Sequence, residues 1–256
     1  MLDARDTVFA NHRIDPLKPV PYHVQVYQAI EQIIGASMRP GDQLPGEPRL
    51  CELFGVSRTV IRQALDQLLR DGLILRVMGK GTFVAEPKIP EGLVGSVSGF
   101  HEDMVAKGYT PVSRVLLQQR VKPTVKVARN LEISASTDVI ELRRVRYVNG
   151  IPIQLVSNYL PYASCPSVLD ADLTHRSLYG HMREKYGLEI ARGKRIIEAV
   201  LANEEESGLL EVPIGAPLLV VDSVSFLADG TPIEYYHAVH RSDRARFEIE
   251  VARSRP

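Results

Sequence analysis

The feature that most restricts this chain is an internal repeat in its last two-thirds. Tyr147-Val148-Asn149-Gly150-Ile151-Pro152-Ile153-Gln154 returns in outline as Phe226-Leu227-Ala228-Asp229-Gly230-Thr231-Pro232-Ile233-Glu234, with Asn149 and Asp229 80 residues apart. Glu132-Ile133 and Glu211-Val212 close two short helical patterns 79 apart; Ser98-Gly99-Phe100 and Ser177-Leu178-Tyr179 open two others, again 79 apart, that end at Gly108 and Gly187. Each unit reads helix, strand, helix, strand, tight turn, strand. Asn-Gly and Asp-Gly are hairpin signals because both residues tolerate positive φ. Two such units predict one largely antiparallel sheet of about six strands, with helices packed on one face, by the rule that a sheet buries its apolar face against another layer. The halves are then related by a pseudo-twofold axis, and Ser98 and Ser177 become equivalent helix starts beside a shared cleft.

Chemistry gathers at that cleft. Arg144 and Arg146 are two apart in the strand pattern Val139 to Val148 and share one face. A helix start offers free N–H groups and a positive dipole end. Two arginines beside two such starts suit a phosphate or a carboxylate. The plainer reading is a solvated arginine face, with Ser98 and Ser177 serving only as N-caps; the spacing alone fits both.

The first third has a different character. Tyr22, Val26, Ala29, Ile30, Ile33 and Ile34 mark an amphipathic helix, broken at Met38-Arg39-Pro40-Gly41. Leu50, Leu53 and Phe54 are apolar at helical spacing, Pro48 fits the first turn of that helix, and Gly55 is its stop. Ser57 is a good N-cap for a further helix, in which Val60, Ile61, Ala64, Leu65, Leu68 and Leu69 form one stripe while Arg58, Thr59, Arg62 and Asp66 face away. Gly72 ends it, and Leu73 to Val77, a Met-Gly-Lys-Gly turn and Thr82-Phe83-Val84 read as a hairpin wing. Two short helices across a glycine turn, with Arg and Thr at the start of the second, spell helix-turn-helix. An exposed arginine there can contact guanine in the major groove, threonine can meet a thymine methyl or a phosphate, and Gly79 and Lys80 can approach a phosphate. A helical hairpin with a solvated arginine face would share the pattern.

Residues 19–85 resemble the winged helix-turn-helix of the gluconate-repressor (GntR) superfamily. The likeness is carried by Pro40-Gly41-Asp42-Gln43-Leu44-Pro45, Phe54-Gly55-Val56-Ser57-Arg58-Thr59, Arg62-Gln63-Ala64-Leu65, Asp71-Gly72-Leu73-Ile74 and Gly81-Thr82-Phe83-Val84. It implies that Ser57, Arg58, Thr59 and Arg62 face the operator, with Gly79 and Lys80 in the wing. Pro48 stands where the family commonly has an arginine that touches DNA; Arg49, one place on, is the available substitute, aimed elsewhere. Residues 93–251 are similar to the ligand-sensing UTRA domain of the HutC subfamily, of chorismate-lyase-like fold, through Gly99 to Met104, Arg144-Val145-Arg146, Ser157 to Pro161, Ser177-Leu178-Tyr179, Ile197-Glu198-Ala199 and Asp229 to Tyr235. That likeness implies that Arg144, Arg146, Ser177 and Tyr179, with the backbone near Phe100 and His101, hold the anionic end of a small effector, and that Glu234 meets its polar body. His101 replaces the usual Ser or Thr, Val156 a common sugar-binding Glu, and His240, also placed in the site, a common Tyr. The missing Glu leaves a sugar phosphate, a phosphonate or an organic acid open.

The expected whole is an α+β chain: a flexible arm (1–18), the winged helix-turn-helix (19–85), a Pro- and charge-rich linker (86–92) and the UTRA domain (93–251), which binds the effector and pairs two chains on a palindromic operator. Net charge is zero, yet residues 49–84 carry six Arg and Lys against three Asp and Glu, and a local basic face is what DNA asks for. No apolar run has membrane-spanning length, the first residues are charged and unlike a signal peptide, and Cys51 and Cys165 are isolated, so a cytoplasmic place is expected, with no cofactor. The histidines lack metal spacing. A competing reading, an enzyme of lyase-like fold with an appended DNA module, finds no Ser-His-Asp, zinc, P-loop or dinucleotide motif and no catalytic residue. A protein that binds DNA and ignores metabolites is the third.

Overall fold

The computed structural model describes residues 4–77, 79–92 and 99–248. The chain divides into two compact units, Met1–Lys88 and Ile89–Pro256.

The first unit is built on α2 (Tyr22–Ser37), α3 (Glu47–Phe54) and α4 (Arg58–Arg70), followed by the antiparallel pair β1 (Ile74–Val77) and β2 (Gly81–Val84). Gly55 sits at φ +67°, a left-handed stop that ends α3 after two turns. Ser57 then caps α4, its hydroxyl accepting from the Val60 amide. Ile61, Ala64, Leu65 and Leu68 are buried against Val26, Ile30 and Ile33 of α2. Leu69, expected in the stripe, is 39% exposed, because a seam of helical pitch drifts past it.

The arm expected at 1–18 is a correction. Its residues form α1 (Ala4–Ala10), and Phe9 is 2% exposed, edge-on to Phe54 at 6.3 Å. Farther along, the Gln25 amide accepts from the Asp15 amide and donates to the Val20 carbonyl. One buried aromatic and one glutamine clamp hold a segment that has no periodicity of its own.

The second unit is a six-stranded antiparallel sheet in the order β4-β5-β6-β9-β8-β7: β4 (Pro111–Val121), β5 (Val139–Val148), β6 (Ile151–Pro161), β7 (Arg192–Leu201), β8 (Pro217–Phe226) and β9 (Pro232–Arg241). The two repeats meet at β6–β9, where Ser157 pairs with His237, 80 residues on (237 − 157), so the pseudo-twofold passes between them. Asn149 (φ 51°) and Gly150 (φ 77°) make a two-residue hairpin of the kind that needs positive φ twice. Four short helices complete the repeats: α5 (Phe100–Ala106), α6 (Val125–Leu131), α7 (Leu178–Tyr186) and α8 (Glu204–Leu210).

Helices on one face were expected; both faces are covered. Val127 and Leu131 of α6 pack on Val139 and Val224, and Leu210 of α8 on Val145 and Val220. On the opposite face Leu178 and Met182 of α7 pack on Ile140, Leu142 and Leu160. Each repeat thus supplies a helix to each side. A second correction concerns the linker, whose later part is β3 (Ile89–Gly92), paired in parallel with β10 (Ala245–Glu248).

Candidate functional site

In the first unit Ser57, Arg58, Thr59 and Arg62 are all exposed along one side of α4. Arg62 donates to Glu47 at 2.9 Å, and Arg76 of β1, unforeseen from sequence, reaches Asp66 at 3.1 Å and Glu47 at 3.8 Å. Arg49 turns away from α4: its Nε and Nη2 donate to Asp6 of α1 at 2.9 and 2.8 Å, and Nη1 to Glu52 at 2.6 Å. The carboxylates hold these guanidiniums in place and must be displaced by any competing phosphate. Gly79 and Lys80 form the exposed tip of the wing. Gln43 pins it, donating to the Lys80 carbonyl at 2.8 Å; the neighbouring Gly81 sits at φ +120°, a conformation that residues with a Cβ rarely adopt.

In the second unit a cavity opens on the face that carries α5 and α7. Alternation along three strands aims its lining: Arg144 and Arg146 from β5, Gln154, Val156 and Asn158 from β6, and Glu234, Tyr236 and His240 from β9. Phe100 and His101 of α5, Ser177 and Tyr179 at the start of α7, Arg176 and Arg195 complete it. All eight effector-site candidates lie together here. The open volume is small, about 70 Å³, so these side chains meet a ligand at close range. The two helix starts also meet: a Cβ on Gly99 would sit 3.2 Å from the Tyr179 ring and 3.7 Å from the Ser177 hydroxyl. Ser177 caps its own helix, accepting from the Gly180 amide at 3.0 Å, as the plainer reading required; Ser98, its expected counterpart, lies outside the described residues.

The repeat places two unlike trios in this cavity. On one side Arg146 lies over the Phe100 ring at 4.9 Å and donates to Gln154 at 2.9 Å. On the other, the Tyr179 hydroxyl and Ser225 both donate to Glu234, Ser225 at 2.9 Å. Phe100 corresponds to Tyr179 and Arg146 to Ser225 (79 apart), and Gln154 to Glu234 (80 apart). Duplication has therefore left a cationic half facing an anionic half. Asn158 joins them: its side-chain oxygen accepts from Arg144 Nη2 at 3.0 Å, and its amide donates to Glu234 at 2.7 Å.

Arg144 is 2% exposed and its Nε has no hydrogen-bond partner. Burial first, and the like charge of Arg146 second, pull its guanidinium well below its ordinary value. A guanidinium keeps its proton at neutral pH all the same, so the protein holds a poorly compensated positive charge at the cavity wall. Burial, followed by Arg146, also lowers His101 from the usual histidine range. Burial, followed by Glu234, raises the Tyr179 phenol well above its ordinary value, which keeps it a donor. Four arginines against Asp103 and Glu234 leave the lining two positive charges in excess (4 − 2), before any histidine is protonated.

His240 is buried, takes a hydrogen bond from Gln154 at 2.9 Å and meets Phe247 edge-on at 4.9 Å. Sequence reasoning missed Gln154, Ser225, Arg176, Arg195 and Tyr236; the signal for the strand residues was the same two-residue alternation that exposed Arg144 and Arg146. Cys165 is buried, its thiol pushed up to about 12 by burial, and is inert. Among the described residues no group of His, Cys, Asp and Glu could hold a metal ion, and no helix is long and apolar enough to cross a membrane.

Comparison with known proteins agrees with this two-part organisation. Residues 23–84 match the bacterial regulatory proteins of the gntR family, and residues 106–246 the UTRA domain. The chain is 33% identical over 235 residues to the HTH-type transcriptional repressor NagR of Bacillus subtilis (strain 168), covering 91% of this chain and 96% of that protein. It is 30% identical to the histidine utilization repressor of Pseudomonas putida, over 90% of this chain and 92% of the other. Among solved structures, PhnF from Mycobacterium smegmatis superposes with a TM-score of 0.65 at 28% identity, covering 89% of this chain and all of that one. The relatives are transcriptional regulators rather than enzymes, and their heads bind operators while their UTRA domains bind small effectors. The chain is thus a DNA-binding transcriptional regulator, and it belongs to the gntR family, in its HutC-type branch with a UTRA domain.

Proposed function

We propose that this regulator is a cytoplasmic repressor that binds a palindromic operator as a homodimer and responds to a small anionic metabolite held in the second unit. The observation that carries the reading is Arg144: a buried guanidinium with an unpartnered Nε, beside Arg146, at a cavity where two helix starts converge. A phosphate, phosphonate or carboxylate would complete that charge by hydrogen bonds to Arg144 and Arg146 and to the chain near Phe100, His101 and Ser177. Glu234, held by Tyr179, Ser225 and Asn158, offers an acceptor to a hydroxyl or amine on the remainder of the ligand. Buried Val156, in place of an acid, removes one acceptor from that end. Arg58, Thr59 and Arg62 read base edges, while Lys80, Gly79 and Arg49 address phosphates. Effector binding shifts the heads between operator-competent and incompetent arrangements.

A thermal-shift screen of phosphorylated sugars, phosphonates and dicarboxylates tests this. At least one class should stabilise the wild type and release its operator in a gel shift, with neither effect in Arg146→Ala. Stabilisation by neutral analogues alone would set the anion reading aside.

A further inference from the structure

We propose that Arg195 is a second anion anchor in the cavity of the second unit, so that the effector carries an acidic group at each end. This rests on the anionic-effector reading above and names the class of ligand.

Residues paired directly across an antiparallel sheet share a face. On the cavity face one row runs from Arg195 of β7 through Ser223 of β8 and Tyr236 of β9 to Asn158 of β6. Asn158 accepts from Arg144 Nη2 at 3.0 Å, so the row has a guanidinium at either end. β7 and β5 are four strand spacings apart, about 19 Å between backbones, and both arginines line the same cavity. Burial raises the Tyr236 phenol above its ordinary value, while Arg195 from one side of the sheet and Arg146 from the other pull it down. The repeats explain the placement. Ser223 corresponds to Arg144 (79 apart), and the edge-strand partner of Arg144 is Val115 where that of Ser223 is Arg195. The second repeat thus carries its cation one strand farther out, beyond Glu234.

What lies between the two arginines fits a short spacer rather than a sugar. In the next row Arg144 pairs with Val156 and Val156 with Ala238, both buried and without a polar side-chain atom. Glu234 already accepts from Asn158 on one oxygen and from Tyr179 and Ser225 on the other, out of about four hydrogen bonds that a carboxylate can take. It has room for one amine or hydroxyl, not for a ring of hydroxyls. Asp103 pairs with Lys107 at 2.7 Å, so among the described lining residues Glu234 is the carboxylate left to offset the arginines. A ligand with two acids meets Arg144 and Arg146 with one and Arg195 with the other, through charge-assisted hydrogen bonds.

Isothermal titration of the full chain tests this with glutarate, adipate and 4-phosphonobutyrate, each beside the monoacid of equal length: pentanoate, hexanoate and butylphosphonate. For at least one pair the diacid should bind wild type about tenfold more tightly. Arg195→Gln should erase that difference and leave the monoacid affinity unchanged, Arg195→Lys should keep part of it, and Arg146→Ala should weaken both members. Matched melting temperatures without ligand establish that the variants fold. Monoacids that bind through Arg146 as tightly as their diacids, or a diacid preference that survives Arg195→Gln, overturn the second anchor and leave the anion reading intact. Binding by neither series overturns both.

Discussion

Replacing Arg144 by methionine separates a residue kept for a ligand from one kept for the fold. Arg144 makes one hydrogen bond to Asn158 at 3.0 Å, leaves Nε unpartnered, and reaches the nearest carboxylate of its network only through Asn158. Losing the charged hydrogen bond costs about 1.5–3 kcal/mol, while removing a buried donor with no partner returns about 1–3 kcal/mol. Methionine fills most of the volume, and apolar replacements of buried charges are often neutral or stabilising. The terms nearly cancel, so Arg144→Met should change stability by less than about 1 kcal/mol, or roughly 2–4 °C in melting temperature. Its neighbour Leu142, fully buried on the same strand face, should lose about 2–5 kcal/mol on truncation to alanine. Differential scanning calorimetry with and without the releasing anion reads both quantities. Arg144→Met should melt close to wild type and gain nothing from the anion. A loss beyond about 3 kcal/mol would show that the charge is compensated inside the fold and refute the argument.

Arg49→Ala should weaken operator binding and flatten the dependence of log affinity on log salt by about 0.9, as read by fluorescence anisotropy; no change in slope would mean that Arg49 never reaches a phosphate. Phe9→Ala should destabilise the first unit by about 3–5 kcal/mol in a denaturant titration, whereas a true flexible arm would tolerate it. Arg58→Ala should cost about tenfold or more in operator affinity and relax sequence preference; unchanged specificity would remove it from the reading face. Because burial and Arg146 lower His101, a bound anion should raise it and take up a proton. Affinity for an anion of constant charge should therefore tighten as pH falls from about 8 to about 6, and His101→Gln should flatten the profile in isothermal titration.

What could be read ahead of the structure was local. Gly55, Ser57 and Gly72 punctuate α3 and α4 because left-handed stops and hydroxyl caps depend on immediate neighbours. The 79–80-residue repeat gave the sheet, since each unit must find the same partners twice. Contacts between distant residues did not declare themselves: Phe9 is a single aromatic whose partner, Phe54, is 45 residues away, and β3 needs β10 at the far end of the chain. The second helical layer does leave a trace in the sequence. In β5, Val139, Ile140, Leu142, Val145 and Val148 are buried on both faces, and a strand without clean alternation is one covered on both sides. Within the cavity the arginines were visible because charge in a strand is unusual, whereas Gln154 and Ser225 look like ordinary polar strand residues until their partners are placed.

Operator affinity measured by anisotropy while the releasing anion is titrated, for wild type and for Arg144→Ala with Arg146→Ala, bears most directly on the coupling of the two working parts. The double variant should bind operator as wild type does and hold it at anion concentrations that free the wild type. Release at the same concentration from both proteins would contradict the account.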